Sequence, residues 1–287
     1  MSLCELFFFF LPSSLCNLAG LPSLFFNVFV SSCLCVRSSS SLCLRVRLSS
    51  LFPMGGFLCY TKVMRLPLTR YGLPQLVIFP VLVCLIMALL FVFLKNPRFL
   101  FPAEALLFLV FLWMLSFFRD PARTVNYDEM ILLSPADGTI TDITKVDDSA
   151  LGPGALRIGM FLSIFSVHVN RFPCSVRVES VNYKKGQFKN ALSPESGRIN
   201  ESNDILMVRL NDPKERLLVR QVSGAIARHI VCKAVVNAEY RQGEQFGMIK
   251  FGSRTELYLP AGDHYEVAVK IGDKVRAGLT PLVRYIP

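Results

Sequence analysis

Nineteen consecutive residues without a charged side chain, Leu76 to Leu94, limit this chain more than any other feature. A helix that crosses hydrocarbon needs roughly 20 apolar residues, and this run comes close. After Lys95, Asn96, Pro97 and Arg98 a second apolar stretch extends from Phe99 to Phe118, with Pro102 and Glu104 near its start. Two such runs joined by a tight turn predict an N-terminal helical hairpin over residues 64–118, transmembrane or membrane-inserted. A pair of buried core helices is the competing reading. It suffers because neither run shows the polar face that a globular helix keeps in water. Lys62, Arg65 and Arg70 precede the hairpin and Arg119 and Arg123 follow it, against Lys95 and Arg98 in the turn. That bias places both flanks, and the domain behind them, on the cytoplasmic face of a cell membrane.

Residues 1–63 are dominated by Ser, Leu, Phe and Cys, and Glu5 is their only acid. Three readings stay open: a targeting peptide carrying Arg37, Arg45 and Arg47, a third short anchor over Leu21 to Val36, or a start set too early, with initiation at Met54 or Met64. If the segment is a genuine presequence, the mitochondrial inner membrane replaces the cell membrane. The net charge of +10 is concentrated around the apolar runs, which suits an anionic lipid surface. No basic stripe with interleaved aromatics occurs in the polar half, so nucleic acid is not an expected partner. Of the nine cysteines only Cys174 and Cys232 lie beyond the hairpin. No pair has zinc-ribbon spacing, so neither a metal site nor a disulfide framework is expected.

After Arg119-Asp120-Pro121 the texture changes. Short β-rich runs follow one another: Ile140–Val146, Leu156–Phe165, Val176–Tyr183, Ile205–Leu210, Leu217–Val222, Ile230–Val236, Met248–Phe251, Leu257–Leu259 and Tyr265–Ile271, punctuated by Gly, Pro, Asp and Asn. The expected fold is a mainly β catalytic domain, α+β at most, over residues 119–287.

Three segments could carry chemistry. Ser134-Pro135-Ala136-Asp137-Gly138 is by itself a turn before a strand. Phe165-Ser166-Val167-His168-Val169-Asn170-Arg171 places a lone histidine after an apolar strand, and a lone histidine is more often structural. Phe251-Gly252-Ser253-Arg254 could be no more than a bulge or a hairpin corner. Together with Phe117-Phe118-Arg119-Asp120-Pro121, Asn200-Glu201 and Arg228-His229-Ile230-Val231, and in this order, they resemble the phosphatidylserine decarboxylase family, in its compact subgroup. The resemblance runs from about Met64 to the C-terminus.

The resemblance implies a proenzyme that cuts itself between Gly252 and Ser253 and converts Ser253 into a covalent pyruvoyl group, with no metal and no pyridoxal phosphate. His168 would be the base that activates the serine and returns protons. Asp137 would hold the imidazole in one tautomer. The substrate amine would form a Schiff base at residue 253, and the product would be phosphatidylethanolamine. The partners implied are a phospholipid substrate, a membrane and the chain's own two fragments as a heterodimer, with a homodimer left open. Arg119 and Arg123 would lie near the lipid phosphates. Larger relatives carry a second histidine where this chain has Arg171, and Ser or Thr where it has Arg254, so one histidine would serve both self-cleavage and turnover. His229 is expected to be structural and His264 exposed. The rival classes are a biotinyl- or lipoyl-like carrier, suggested by Gly272-Asp273-Lys274-Val275-Arg276-Ala277-Gly278, and a pyruvoyl enzyme for a soluble amino acid. The first lacks a Met-Lys-Met or Asp-Lys-Ala tip, and the second gives the hairpin no purpose.

Overall fold

The computed structural model describes residues 33–34, 41–45, 63–193, 196–225, 229–250 and 252–286. The chain divides into two units, residues 1–66 and 67–287. In the first, the strands Cys33–Leu34 and Ser41–Arg45 pair antiparallel. The targeting, third-anchor and early-start readings of residues 1–63 otherwise fall outside the described residues.

The second unit opens with two helices, α1 (Leu73–Phe93) and α2 (Pro97–Phe117). Pro74 sits in the first turn of α1, where its missing N–H breaks no helical bond. Asn96 caps α2 by accepting from the Arg98 N–H at 3.0 Å. Both helices are long and apolar enough to cross a membrane. No residue of α1 is buried, and large apolar side chains such as Val81 and Phe91 are more than 60% exposed, the opposite of a core helix. The ends of the hairpin are tied together at its foot. Leu68 and Arg119 form a β-bridge, the Thr69 N–H donates to the Phe118 carbonyl at 2.8 Å, and the Asp120 N–H donates to that of Pro67 at 2.7 Å.

The rest is mainly antiparallel β. The largest sheet has eight strands in the spatial order Glu239–Tyr240, Val176–Lys184, Ser202–Arg209, Arg216–Val222, Ser253–Leu259, Gly152–Leu162, Gly138–Asp148 and Lys274–Val275. Two three-stranded sheets flank it: Ile230–Cys232 with Gln245–Ile249 and Val169–Arg171, and Tyr265–Val267 with Pro281–Tyr285 and Ile131–Leu133. The four-residue helix α3 is Ser196–Ile199. Most expected strands lie within a few residues of the observed ones. The differences are at their ends. Ser163 to Ser166 leave the strand as a turn closed by a 2.9 Å bond, and the run expected over 230–236 ends at Cys232. In both places apolar residues continue past the last ladder bond, which periodicity does not register.

One apolar core joins the inner faces of these sheets through Ile158, Met160, Ile205, Met207, Val219, Phe246 and Leu257. A second cluster sits at the hairpin foot, where Tyr71, Met114, Phe117 and Phe118 pack on Val167, Val169 and Met248. The strand Ser253–Leu259 is buried along its whole length. Its side chains alternate, so Leu257 and Leu259 enter the apolar core while Arg254, Glu256 and Tyr258 turn to the other face. There the Arg254 guanidinium meets Glu256 at 2.6 Å and also pairs with Asp142. Tyr258 donates to Glu256, and Arg220 donates to Tyr258 and holds Asp204. Buried charges of this kind persist only when paired.

Candidate active site

The Gly252-Ser253 bond lies where the chain crosses between sheets. Gln245–Ile249 belongs to a three-stranded sheet, and Ser253 opens a central strand of the large one. Gly252 makes the crossing with φ +62, the left-handed region in which a side chain is strained. Val222 pairs with Arg254 at the end of that ladder, and just beyond it Gly224 comes up against Gly252. A Cβ on Gly224 would lie 1.9 Å from the Gly252 carbonyl oxygen. The absence of a side chain there lets two backbones meet at that carbonyl.

His168 is brought to the same corner by Val169–Arg171, which pairs with Gln245–Ile249, and by the Ile249 N–H, which donates to the His168 carbonyl. Its ring is fully buried and packs on Phe117 of α2, with centroids 4.3 Å apart. Nδ1 is 2.8 Å from the Ser166 carbonyl, which can only accept, so Nδ1 carries the proton and Nε2 carries the lone pair. Burial is the main cause that lowers the pKa of His168, to about 4; the Arg119 charge adds to it, and the Ser166 bond and Asp137 oppose it. The imidazole is therefore neutral at physiological pH. Five buried side-chain polar atoms lack a hydrogen-bond partner among the described residues, and His168 Nε2, Ser253 Oγ and Ser223 Oγ are three of them. Leaving a buried polar group unpaired is costly, and such groups concentrate where a structure must react or bind.

Asp137 is placed differently from the arrangement the sequence suggested. Its carboxylate is held by Arg123 through two bonds of 2.6 and 2.8 Å and accepts from the Ala277 N–H at 2.7 Å. The atom at His168 Nδ1 is the Ser166 carbonyl, and Asp137 acts on the ring only through its field. Arg123 is correspondingly buried against Asp137, not free to meet lipid phosphates. Arg119 stays partly exposed and donates to the Phe165 carbonyl at 2.6 Å and to Ser116. His229 is exposed, and His264 is half-exposed and 2.9 Å from Glu215. Sequence reasoning passed over a buried amide chain behind the corner. Asn203 donates to Gln221, Gln221 to Asn170, and Asn170 to Thr255, two residues beyond Ser253. Asn170 stood in the histidine motif, but nothing in the linear order links it to Gln221. Among the described residues no group of three or more His, Cys, Asp or Glu could hold a metal ion.

The layout defines a class of protein first: a β-rich domain with a buried, glycine-flanked serine and a neutral histidine at the foot of an apolar hairpin. Residues 110–282 match the family described as Phosphatidylserine decarboxylase. The chain is 40% identical over 220 residues to the phosphatidylserine decarboxylase proenzyme of Rhodopirellula baltica, covering 77% of this chain and 89% of the relative. It is 43% identical over 180 residues to that of Carboxydothermus hydrogenoformans, covering 62% and 83%. With that of Chlorobium limicola it shares 37% over 220 residues, covering 76% and 100%. The chain belongs to the phosphatidylserine decarboxylase family.

Proposed function

We propose that this chain is a decarboxylase proenzyme that converts phosphatidylserine to phosphatidylethanolamine after cutting itself between Gly252 and Ser253. The observation that carries the reading is the corner itself: an unpartnered, buried Ser253 hydroxyl after a glycine in the left-handed region. The hydroxyl attacks the Gly252 carbonyl carbon, the C–N bond breaks, and an ester to Ser253 Oγ replaces the amide. Loss of the Cα proton of residue 253 then breaks its Cβ–Oγ bond and frees the Gly252 carboxylate. Water converts the remaining dehydroalanine to a pyruvoyl group and releases ammonia. The residues fit that group. Residue 253 is held in register against Leu162 on one side while Val222 pairs with Arg254 on the other, so the new chain end stays fixed after the cut.

His168 supplies the base, because its Nε2 lone pair is free and its ring is neutral. Asp137 contributes by anchoring its loop through Arg123 and by a field that favours a proton on His168. When present, the pyruvoyl carbonyl supplies the electron sink for loss of carbon dioxide. His168 is the group placed to return a proton. The hairpin, with no residue of α1 fully buried, anchors the domain so that a lipid headgroup reaches the corner from the cytoplasmic side.

Purified full-length protein in detergent micelles should form phosphatidylethanolamine from phosphatidylserine, and borohydride with substrate should abolish the activity. Ser253→Ala should be inactive. Activity in that variant would overturn the reading.

A further inference from the structure

Lys250 is short of an anion. It is 5% exposed, and its ammonium donates to the side-chain oxygen of Gln75 at 3.0 Å. Among the described residues no carboxylate acts on it, and burial alone pulls its pKa below the ordinary lysine value. The buried arginines 123, 157, 171 and 254 each face a carboxylate, and buried Arg209 is held by two backbone carbonyls and the Tyr285 ring, whereas Lys250 has a single amide oxygen. A neutral amide oxygen offsets only part of the cost of withdrawing an ammonium from water.

Its place indicates what completes it. Lys250 follows the strand whose Met248 packs in the foot cluster, and Phe117 of that cluster carries the His168 ring. Lys250 precedes Ser253 by three residues, and Gln75 lies in the first turn of α1. The lysine therefore stands between the buried reacting residue and the exposed apolar helix. A phospholipid has the same order: amino acid, phosphodiester, acyl chains. Arg119, at the other end of the foot, donates to the Ser116 and Phe165 carbonyls and the Ser116 hydroxyl, and its charge lowers the pKa of His168. The foot is thus electropositive toward an incoming headgroup.

We propose that Lys250 binds the phosphodiester of the phospholipid substrate, with Gln75 holding its ammonium ready. This rests on residue 253 as the reacting centre. Lys250 is then a binding residue, and its removal raises KM while sparing kcat.

The test uses full-length enzyme in mixed micelles, as wild type, Lys250→Met, Lys250→Arg and Gln75→Glu. Self-cleavage is read by mass, kinetics with phosphatidylserine, and inhibition with glycerophosphoethanolamine, which has the phosphodiester and amine but no carboxylate. The expected result for Lys250→Met is normal cleavage, a KM and an inhibition constant both raised about 10- to 100-fold, and kcat within about threefold. Lys250→Arg should recover part of the loss. Gln75→Glu, which gives the ammonium an internal anion, should also raise both constants. An inhibition constant that stays put while KM rises would mean that Lys250 meets the serine carboxylate, overturning the proposal. Unchanged constants in both variants would overturn it too. So would an uncleaved Lys250→Met beside a cleaved Gln75→Glu with wild-type constants, because the lysine would then serve the Gly252 carboxylate or the fold. A wild-type chain that runs as one piece would instead count against the pyruvoyl reading.

Discussion

At the scale of residues, the proposed base is His168. A base must be unprotonated before it can accept the Ser253 proton, and burial keeps this ring neutral well into acid. His168→Gln should slow self-cleavage by roughly 10²-fold or more, read as the half-time for loss of the full-length band. The same burial has a consequence for stability. The folded pKa, about 4, lies below the ordinary 6.5, so the unfolded chain takes up the proton first. Stability from this group is complete above about pH 6.5 and is lost as the pH falls toward 4, by about 3 kcal/mol in all. Denaturant melts of Ser253→Ala with and without His168→Gln should differ in slope over that interval and run parallel above it. The histidine stood out because the chain has only three, whereas Gly252-Ser253, built from common residue types, stood out only through the order of the surrounding segments. The partner of the imidazole was not. Ser166 acts through its backbone carbonyl, which every residue has, and so leaves no trace in the residue pattern.

At the scale of elements, the hairpin is not a detachable leash. Its outer length is unburied, but Met114, Phe117 and Phe118 belong to the foot cluster, and Phe117 carries the histidine ring. The sequence reading separated membrane hairpin from catalytic domain at residue 118, because hydropathy cannot distinguish a helix turn facing lipid from one facing protein. Phe117→Ala should destabilise the folded chain by about 3–5 kcal/mol and slow self-cleavage. A chain beginning at Arg119 should be insoluble and uncleaved, since it exposes Val167, Val169 and Met248. A soluble product that cleaves normally would show that the foot is only an anchor. The strands were legible in existence because β-branched runs alternate between punctuating glycines and prolines. Their assembly into one large and two small sheets was not, because pairings such as Val222 with Arg254 join segments far apart in the chain.

At the scale of the whole molecule, the proposed precursor and its two-chain product differ by the Gly252–Ser253 peptide bond and by the conversion of Ser253 to pyruvoyl. The central strand that starts at Ser253 is paired on both sides and backed by the Arg254–Glu256–Asp142 charges, so the two fragments should remain together after the cut. The most direct test is the intact mass of the purified protein under denaturing conditions. Two chains are expected, one ending at Gly252 and one spanning residues 253–287. The second should have a mass that shows pyruvoyl in place of its first serine, and Ser253→Ala should run as one piece. A single uncut chain that still decarboxylates phosphatidylserine would contradict the account.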